Sequence, residues 1–136
     1  ARERLETLVQ GADILVLEET IRSAKRINIT LAGECRTFDT STVPGKERAF
    51  HQIYWQLRRM DETAARALVA SLAENNGIDG RSLAREILMT WDEIRDVAKD
   101  PLVTFGAHTN DHYALAKLSE AQARAEIVES IATLAN

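Results

Sequence analysis

The chain has 136 residues, 45% of them hydrophobic and 28% charged, with a net charge of -4 and a pI of about 5.4. Its size suits a single domain, and the acidic balance argues against nucleic acid or an anionic membrane as the main partner, because both need a concentrated basic surface. One cysteine, Cys35, excludes an internal disulfide framework, and no apolar run approaches the roughly 18 residues that read as a membrane span.

The opening segment, ARERLETLVQ, has neither an apolar signal core nor an initiator Met. It reads as the start of a processed chain or as an interior stretch of a longer one. With no targeting segment in view, the cytoplasm is the expected compartment. Residues 2–10 and 12–25 have helical patterning, and Ile14, Leu17, Ile21 and Ala24 form one apolar stripe in the second segment. The period then changes. Ile27, Ile29 and Leu31 alternate with Asn28 and Thr30, and Gly33-Glu34 suits a two-residue turn, so residues 27–39 read as a β-hairpin.

Pro44 suits the first turn of the next helix, whose inward stripe is Phe50, Ile53, Tyr54 and Leu57. Asp61 can cap a further helix with Ala65, Leu68, Val69 and Leu72 inside, and Asn75-Asn76-Gly77 supplies a left-handed stop. A short helix is expected over Ser82–Leu88. Thr90-Trp91-Asp92-Glu93 fits a capping box, and that helix must end near Asp100-Pro101. Leu102–Phe105, closed by Gly106, reads as a short buried strand over 102–106. Ser119-Glu120-Ala121-Gln122 is a second capping box, opening a last helix with Ile127, Ile131 and Leu134 on one face. Helix, strand, loop and helix in that order is α/β grammar, in which functional loops follow strand C-termini. Trp55 and Trp91 stand at helical positions and read as core, His51 as a surface or half-buried residue, and Cys35 as packing.

The loop after residues 102–106 reads His108-Thr109-Asn110-Asp111-His112. Imidazole is the commonest transition-metal ligand, and histidines four apart can share one ion. With three histidines in the chain, chance gives some pair this spacing about 4% of the time, so spacing alone leaves two ordinary polar loop residues as a standing alternative. A zinc peptidase of the HExxH type is excluded, because Thr109 stands where the glutamate base is needed. Catalytic zinc usually takes three protein ligands and a water, so a third ligand is required from elsewhere.

The neighbours of the pair add an ordered set of motifs. Thr90-Trp91-Asp92-Glu93, then Val103–Gly106, then His108–His112, then Leu115, Leu118-Ser119 and Glu126-Ile127-Val128-Glu129-Ser130 resemble the polysaccharide deacetylases, the NodB-homology or carbohydrate esterase family 4 enzymes. The resemblance is carried by residues 89–136. Residues 12–88 resemble an insertion found in some members. It implies two regions: residues 1–88, a helical segment with a hairpin, and residues 89–136, part of the catalytic domain. The implied fold is α/β: a segment of a distorted (β/α) barrel, mostly helical here, with one hairpin and one short barrel strand.

The resemblance further implies that His108 and His112 are ligands of a divalent metal, usually zinc, and that Thr109 supports their loop. The implied reaction removes N-acetyl groups from an N-acetylglucosamine oligomer or polymer such as a chitooligosaccharide. Tyr113 replaces the proline that usually follows the second histidine. The family's T-F-D-D-G motif, source of the catalytic base and the third ligand, has no match. Thr37-Phe38-Asp39 continues as Thr40-Ser41 and falls on a hairpin strand. The expectation is therefore an incomplete chain, with no catalytic residue of its own, inactive until more polypeptide or another chain completes the barrel. The competing expectation is a non-catalytic helical binding module that keeps the histidine loop as a relic.

Overall fold

The structure is a computed structural model that describes residues 13–135. The helix expected over residues 2–10 lies outside the described residues. The described chain runs α1 (Asp13–Ser23), β1 (Arg26–Leu31), β2 (Glu34–Asp39), α2 (Val43–Leu57), α3 (Glu62–Asn75), α4 (Gly80–Ile87), α5 (Trp91–Val97), a 3-10 turn (Leu115–Lys117) and α6 (Glu120–Ala135). It falls into two compact units that divide between Gly80 and Arg81.

The first unit holds nearly all of the buried apolar side chains. Strand β1 buries Ile27, Ile29 and Leu31 in strict alternation. They face the same way because successive strand residues point to opposite faces. Strand β2 pairs antiparallel with Ile27 opposite Phe38 and Leu31 opposite Glu34. On the outer face Thr37 donates its hydroxyl to Asn28 Oδ1 at 2.8 Å. The two-residue turn is Ala32-Gly33, one position earlier than the sequence suggests. Both residues have positive φ, 50° and 83°. That is the pattern of a type I′ turn, which prefers glycine second and matches the twist of the strands. The resulting register puts Cys35 opposite Thr30 on the solvent side, so the cysteine is exposed and packs in no core.

Helix α1 buries Val16, Leu17, Thr20 and Ile21 and packs on α2 and α3, while α2 also packs on β2. Leu17 and Ile21 are buried as the sequence reading has them, while Ile14 lies outside the buried stripe and Val16 inside it, a small rotation of the inward face. Thr42 caps α2 by accepting the Gly45 N–H, and Asp61 Oδ1 caps α3 by accepting the Ala64 N–H at 3.0 Å. Gly77 ends α3 at φ 74°, with the Ile78 N–H returned to Ala73 C=O. Ala49, Ile53 and Leu57 from α2 and Ala65, Val69, Leu72 and Ala73 from α3 complete the core. A fully buried isoleucine or leucine contributes about 1.5–3 kcal/mol relative to exposure. Trp55 points away from this core and is 50% exposed, with its indole N–H donated to His51 Nε2 at 3.1 Å.

Thr40 closes the open end of the hairpin. It is fully buried, its N–H bonds Lys25 C=O and its hydroxyl donates to Ala24 C=O. Asp13 at the start of α1 faces Arg66 of α3 at 3.3 Å. Burial pushes the Asp13 carboxyl above the usual range, and this outweighs the pull of the Arg66 guanidinium.

The second unit is built differently. Both capping boxes form: Thr90 Oγ1 accepts the Glu93 N–H while Glu93 Oε2 accepts the Thr90 N–H, and Ser119 and Gln122 exchange the same pair of bonds. Only Ala84, Glu126 and Ser130 are buried in its described residues. The strand expected over 102–106 is absent. Leu102–Gly106 keeps a period-two burial pattern, with Val103 and Phe105 half-buried between exposed neighbours, yet it pairs with no strand among the described residues. Alternation sets which side chains turn inward, but a strand also needs a neighbour for its N–H and C=O groups. Leu102 is 92% exposed. Helix α6 likewise turns Ile127, Val128 and Ile131 to solvent, opposite to the sequence expectation for Ile127 and Ile131.

Candidate metal centre

The histidine loop follows α5 through a turn at Asp100-Pro101. Asp100 Oδ1 accepts the Leu102 N–H, and Asp100 C=O accepts the Val103 N–H. The chain then runs without regular structure to the 3-10 turn at Leu115. His108 and His112 therefore converge without a helix. Their ring centroids are 5.0 Å apart and their planes are inclined at 41°. Both residues are exposed.

The backbone explains the convergence. Thr109 has φ 71° and His112 has φ 57°. Left-handed backbone is rare for any side-chain-bearing residue and most unfavourable for a β-branched one, at about 1–2 kcal/mol each. Two such residues stand inside the five that begin and end with the histidines, whose rings are 5.0 Å apart. Positive φ in a non-glycine loop residue persists only where surrounding contacts determine it.

Those contacts come from α6. Glu126 Oε2 accepts the Asn110 N–H at 3.1 Å and the Asp111 N–H at 2.8 Å. The Thr109 hydroxyl, expected to support the loop, is buried and makes no hydrogen bond within the described residues. Glu126 carries that support here. The signal for it in the sequence is a spacing, since Glu126 and Ser130 stand four apart and so share one helix face, and they are the two buried residues of α6. The apolar positions beside them drew the inward face to the wrong side.

The spacing of the two ring centres is that of two imidazoles on one ion. Imidazole nitrogens about 2.0–2.1 Å from a tetrahedral centre place their ring centres about 5 Å apart, which is the spacing found. A third histidine, cysteine or carboxylate does not join them among the described residues. Asp111, the residue next to His112, bonds into its own loop, where Asn110 Nδ2 approaches Asp111 Oδ1 at 3.5 Å. Asp39 belongs to the first unit. Its Oδ1 accepts the Ser41 N–H and hydroxyl, and the hydroxyl bond first, then the N–H bond, holds its carboxyl below the usual range.

No curated protein and no solved structure matches the chain. The model of the polysaccharide deacetylase family does match, over residues 35–136. That span takes in the histidine loop and α6 and reaches back through α2 into β2, well beyond the stretch where the motifs stand. It covers about three quarters of the sequence, and the chain belongs to the polysaccharide deacetylase family.

Proposed function

We propose that this chain is part of a metal-dependent deacetylase that hydrolyses N-acetyl groups on an N-acetylglucosamine oligomer or polymer, and that His108 and His112 are two of the metal ligands. Family membership supports a deacetylase-type hydrolase acting on carbohydrate. The observation that carries the metal reading is the convergence of the two rings at 5.0 Å on a strained, braced loop. Two unconnected polar residues need no such loop.

Zinc is the favoured ion, because two imidazoles and a carboxylate suit it. When bound, such an ion polarises the acetyl carbonyl and lowers the pKa of a water. The chain's own residues supply the imidazole nitrogens and hold them on one side of the loop. Hydrolysis adds water across the amide, leaving a free amine on the sugar and acetate as the second product. A base must take the proton of that water, and no carboxylate of the described residues stands with the histidines. Thr40, where the T-F-D-D-G pattern has its second aspartate, is buried with its hydroxyl on Ala24 C=O. An aspartate in that place would bury a charge. With no carboxylate beside the histidines among the described residues, the base and third ligand are assigned to polypeptide other than residues 13–135, and those residues by themselves to an inactive state. The outward Ile127, Val128, Ile131 and Leu102 support this, as apolar surface that further barrel elements would cover. Carbohydrate remains the partner class, and among the described residues no helix is long and apolar enough to cross a membrane.

Zinc titration followed by calorimetry tests the reading. Binding should fall by at least about tenfold in His108→Ala and in His112→Ala, as expected when a ligand is removed from a site of two or three. Equal binding in both variants would favour a relic loop on an interaction module. Hydrolysis of acetylated chitooligosaccharide by the isolated chain, abolished by His108→Ala, would overturn the assignment of the base to other polypeptide.

A further inference from the structure

Helix α6 has a reversed face. Glu126 is 8% exposed while Ile127, Val128 and Ile131 point outward. A carboxylate is turned inward at such a position only where something there binds it. Here the binding groups are two consecutive backbone N–H groups, those of Asn110 and Asp111, which both point at the same oxygen, Oε2. Consecutive N–H groups that converge in this way form an anion-binding concavity, and bonds to a charged acceptor are the stronger kind. The concavity lies in the middle of the five residues that begin and end with the two histidines, between the left-handed Thr109 and the left-handed His112.

We propose that Glu126 is a positioning residue for the histidine loop: one carboxylate oxygen, carried on α6, fixes the Asn110 and Asp111 amides and thereby holds His108 and His112 converged before any ion arrives. This inference rests on the metal reading of the two histidines. A loop that must find two left-handed conformations on binding gives up affinity to that ordering, and a loop already held does not. The use of a single oxygen makes a sharp prediction about chemistry. A glutamine in place of Glu126 presents one carbonyl oxygen of the same reach and can accept both N–H groups. An alanine can accept neither.

The test has two arms on the 136-residue protein. The first is amide hydrogen exchange by NMR without metal. In Glu126→Ala the Asn110 and Asp111 amides should exchange at least about tenfold faster, with α6 amides unchanged, and Glu126→Gln should stay within about threefold of wild type. Unchanged exchange at Asn110 and Asp111 in Glu126→Ala overturns the proposal. So does a matching loss of protection throughout α6, which would mark Glu126 as a general structural residue. The second arm follows the His108 and His112 imidazole signals during zinc titration. Glu126→Ala should weaken binding by about ten- to a hundredfold while Glu126→Gln restores it. Faster exchange with unaltered zinc affinity overturns the positioning role. Wild-type imidazoles that ignore zinc would sink the metal reading, and the exchange arm would still decide what Glu126 does to the loop.

Discussion

The two units of this chain are ordered by different means. In residues 13–80, β1, α1, α2 and α3 bury a continuous set of aliphatic side chains, from Val16 to Ala73. In residues 81–135, the described chain buries one alanine, one glutamate and one serine, and its definition comes from polar bonds: two capping boxes, the Asp100 turn and the Glu126 clamp. Apolar burial is cooperative and non-directional, so the first unit should unfold as a block. Local hydrogen bonds set geometry while contributing only about 0.5–1.5 kcal/mol each. The unit that carries the histidines is therefore the one with the more exact local geometry and the smaller core. A site for a ligand is often placed at the less stable end of a protein.

Truncation of a core residue gives the largest test of that contrast. Ile53 is fully buried in α2 and Ile131 is 55% exposed in α6. Ile53→Ala should cost about 2–5 kcal/mol and Ile131→Ala no more than about 0.5 kcal/mol. Each unit contains one tryptophan, Trp55 in the first and Trp91 in the second, so single-tryptophan variants report on each separately in urea. A large loss from Ile131→Ala would show that the second unit has a core at that face, and the comparison would fail. Loss of the α3 cap in Asp61→Ala should cost about 1 kcal/mol and register only at Trp55.

The same contrast explains which features the sequence makes legible. Alternation at Ile27, Ile29 and Leu31 predicts the hairpin because a real core lies on one side of it. Capping boxes at Thr90 and Ser119 are legible because both partners lie within four residues. Reading fails where the deciding partner is not local. Leu102–Gly106 has the pattern of a strand but no neighbour to pair with among the described residues. Ile127 and Ile131 mark an apolar face, yet the loop amides of Asn110 and Asp111 draw Glu126 inward instead. Trp55 is an exception with a local partner: it is apolar at a helical position yet turned out, its indole N–H on His51 four residues back. For the candidate centre the sequence supplies the two histidines, while the left-handed residues and the clamp that converge them follow from contacts 15 and 16 residues away.

A smaller effect sharpens the account of the first unit. Ala32 adopts φ 50° in the hairpin turn, a conformation that asparagine tolerates better. Ala32→Asn should stabilise the first unit by about 0.5–1 kcal/mol, seen as a shift of the Trp55 urea midpoint without a change in slope. A destabilised variant would show that the turn is not of the primed type.

The least effect concerns pH and the second unit. The Thr90 N–H, then the Thr90 hydroxyl, bond the Glu93 carboxylate and hold its pKa below the ordinary 4.5. A carboxyl whose pKa is lower in the folded chain binds its proton less tightly there than when unfolded. Its contribution is therefore complete above about 4.5 and is lost as pH falls through the lowered folded value. Acid should fray the first turn of α5 in that window, visible as a change in the Thr90–Ile94 carbon shifts. Glu93→Gln keeps an oxygen that can accept the Thr90 N–H but cannot titrate, so the fraying should lose its pH dependence. The amides of α2 should not respond over the same range, since Thr42 caps that helix with a hydroxyl. Fraying of α2 alongside α5 would mean that acid also acts on the first unit through Asp39, whose carboxyl bonds Ser41 beside the Thr42 cap and is held below its ordinary range, whereas Asp13 supplies the opposite sign. Burial raises its pKa, so protonation relieves a cost and stabilises that unit as pH falls toward 3.8.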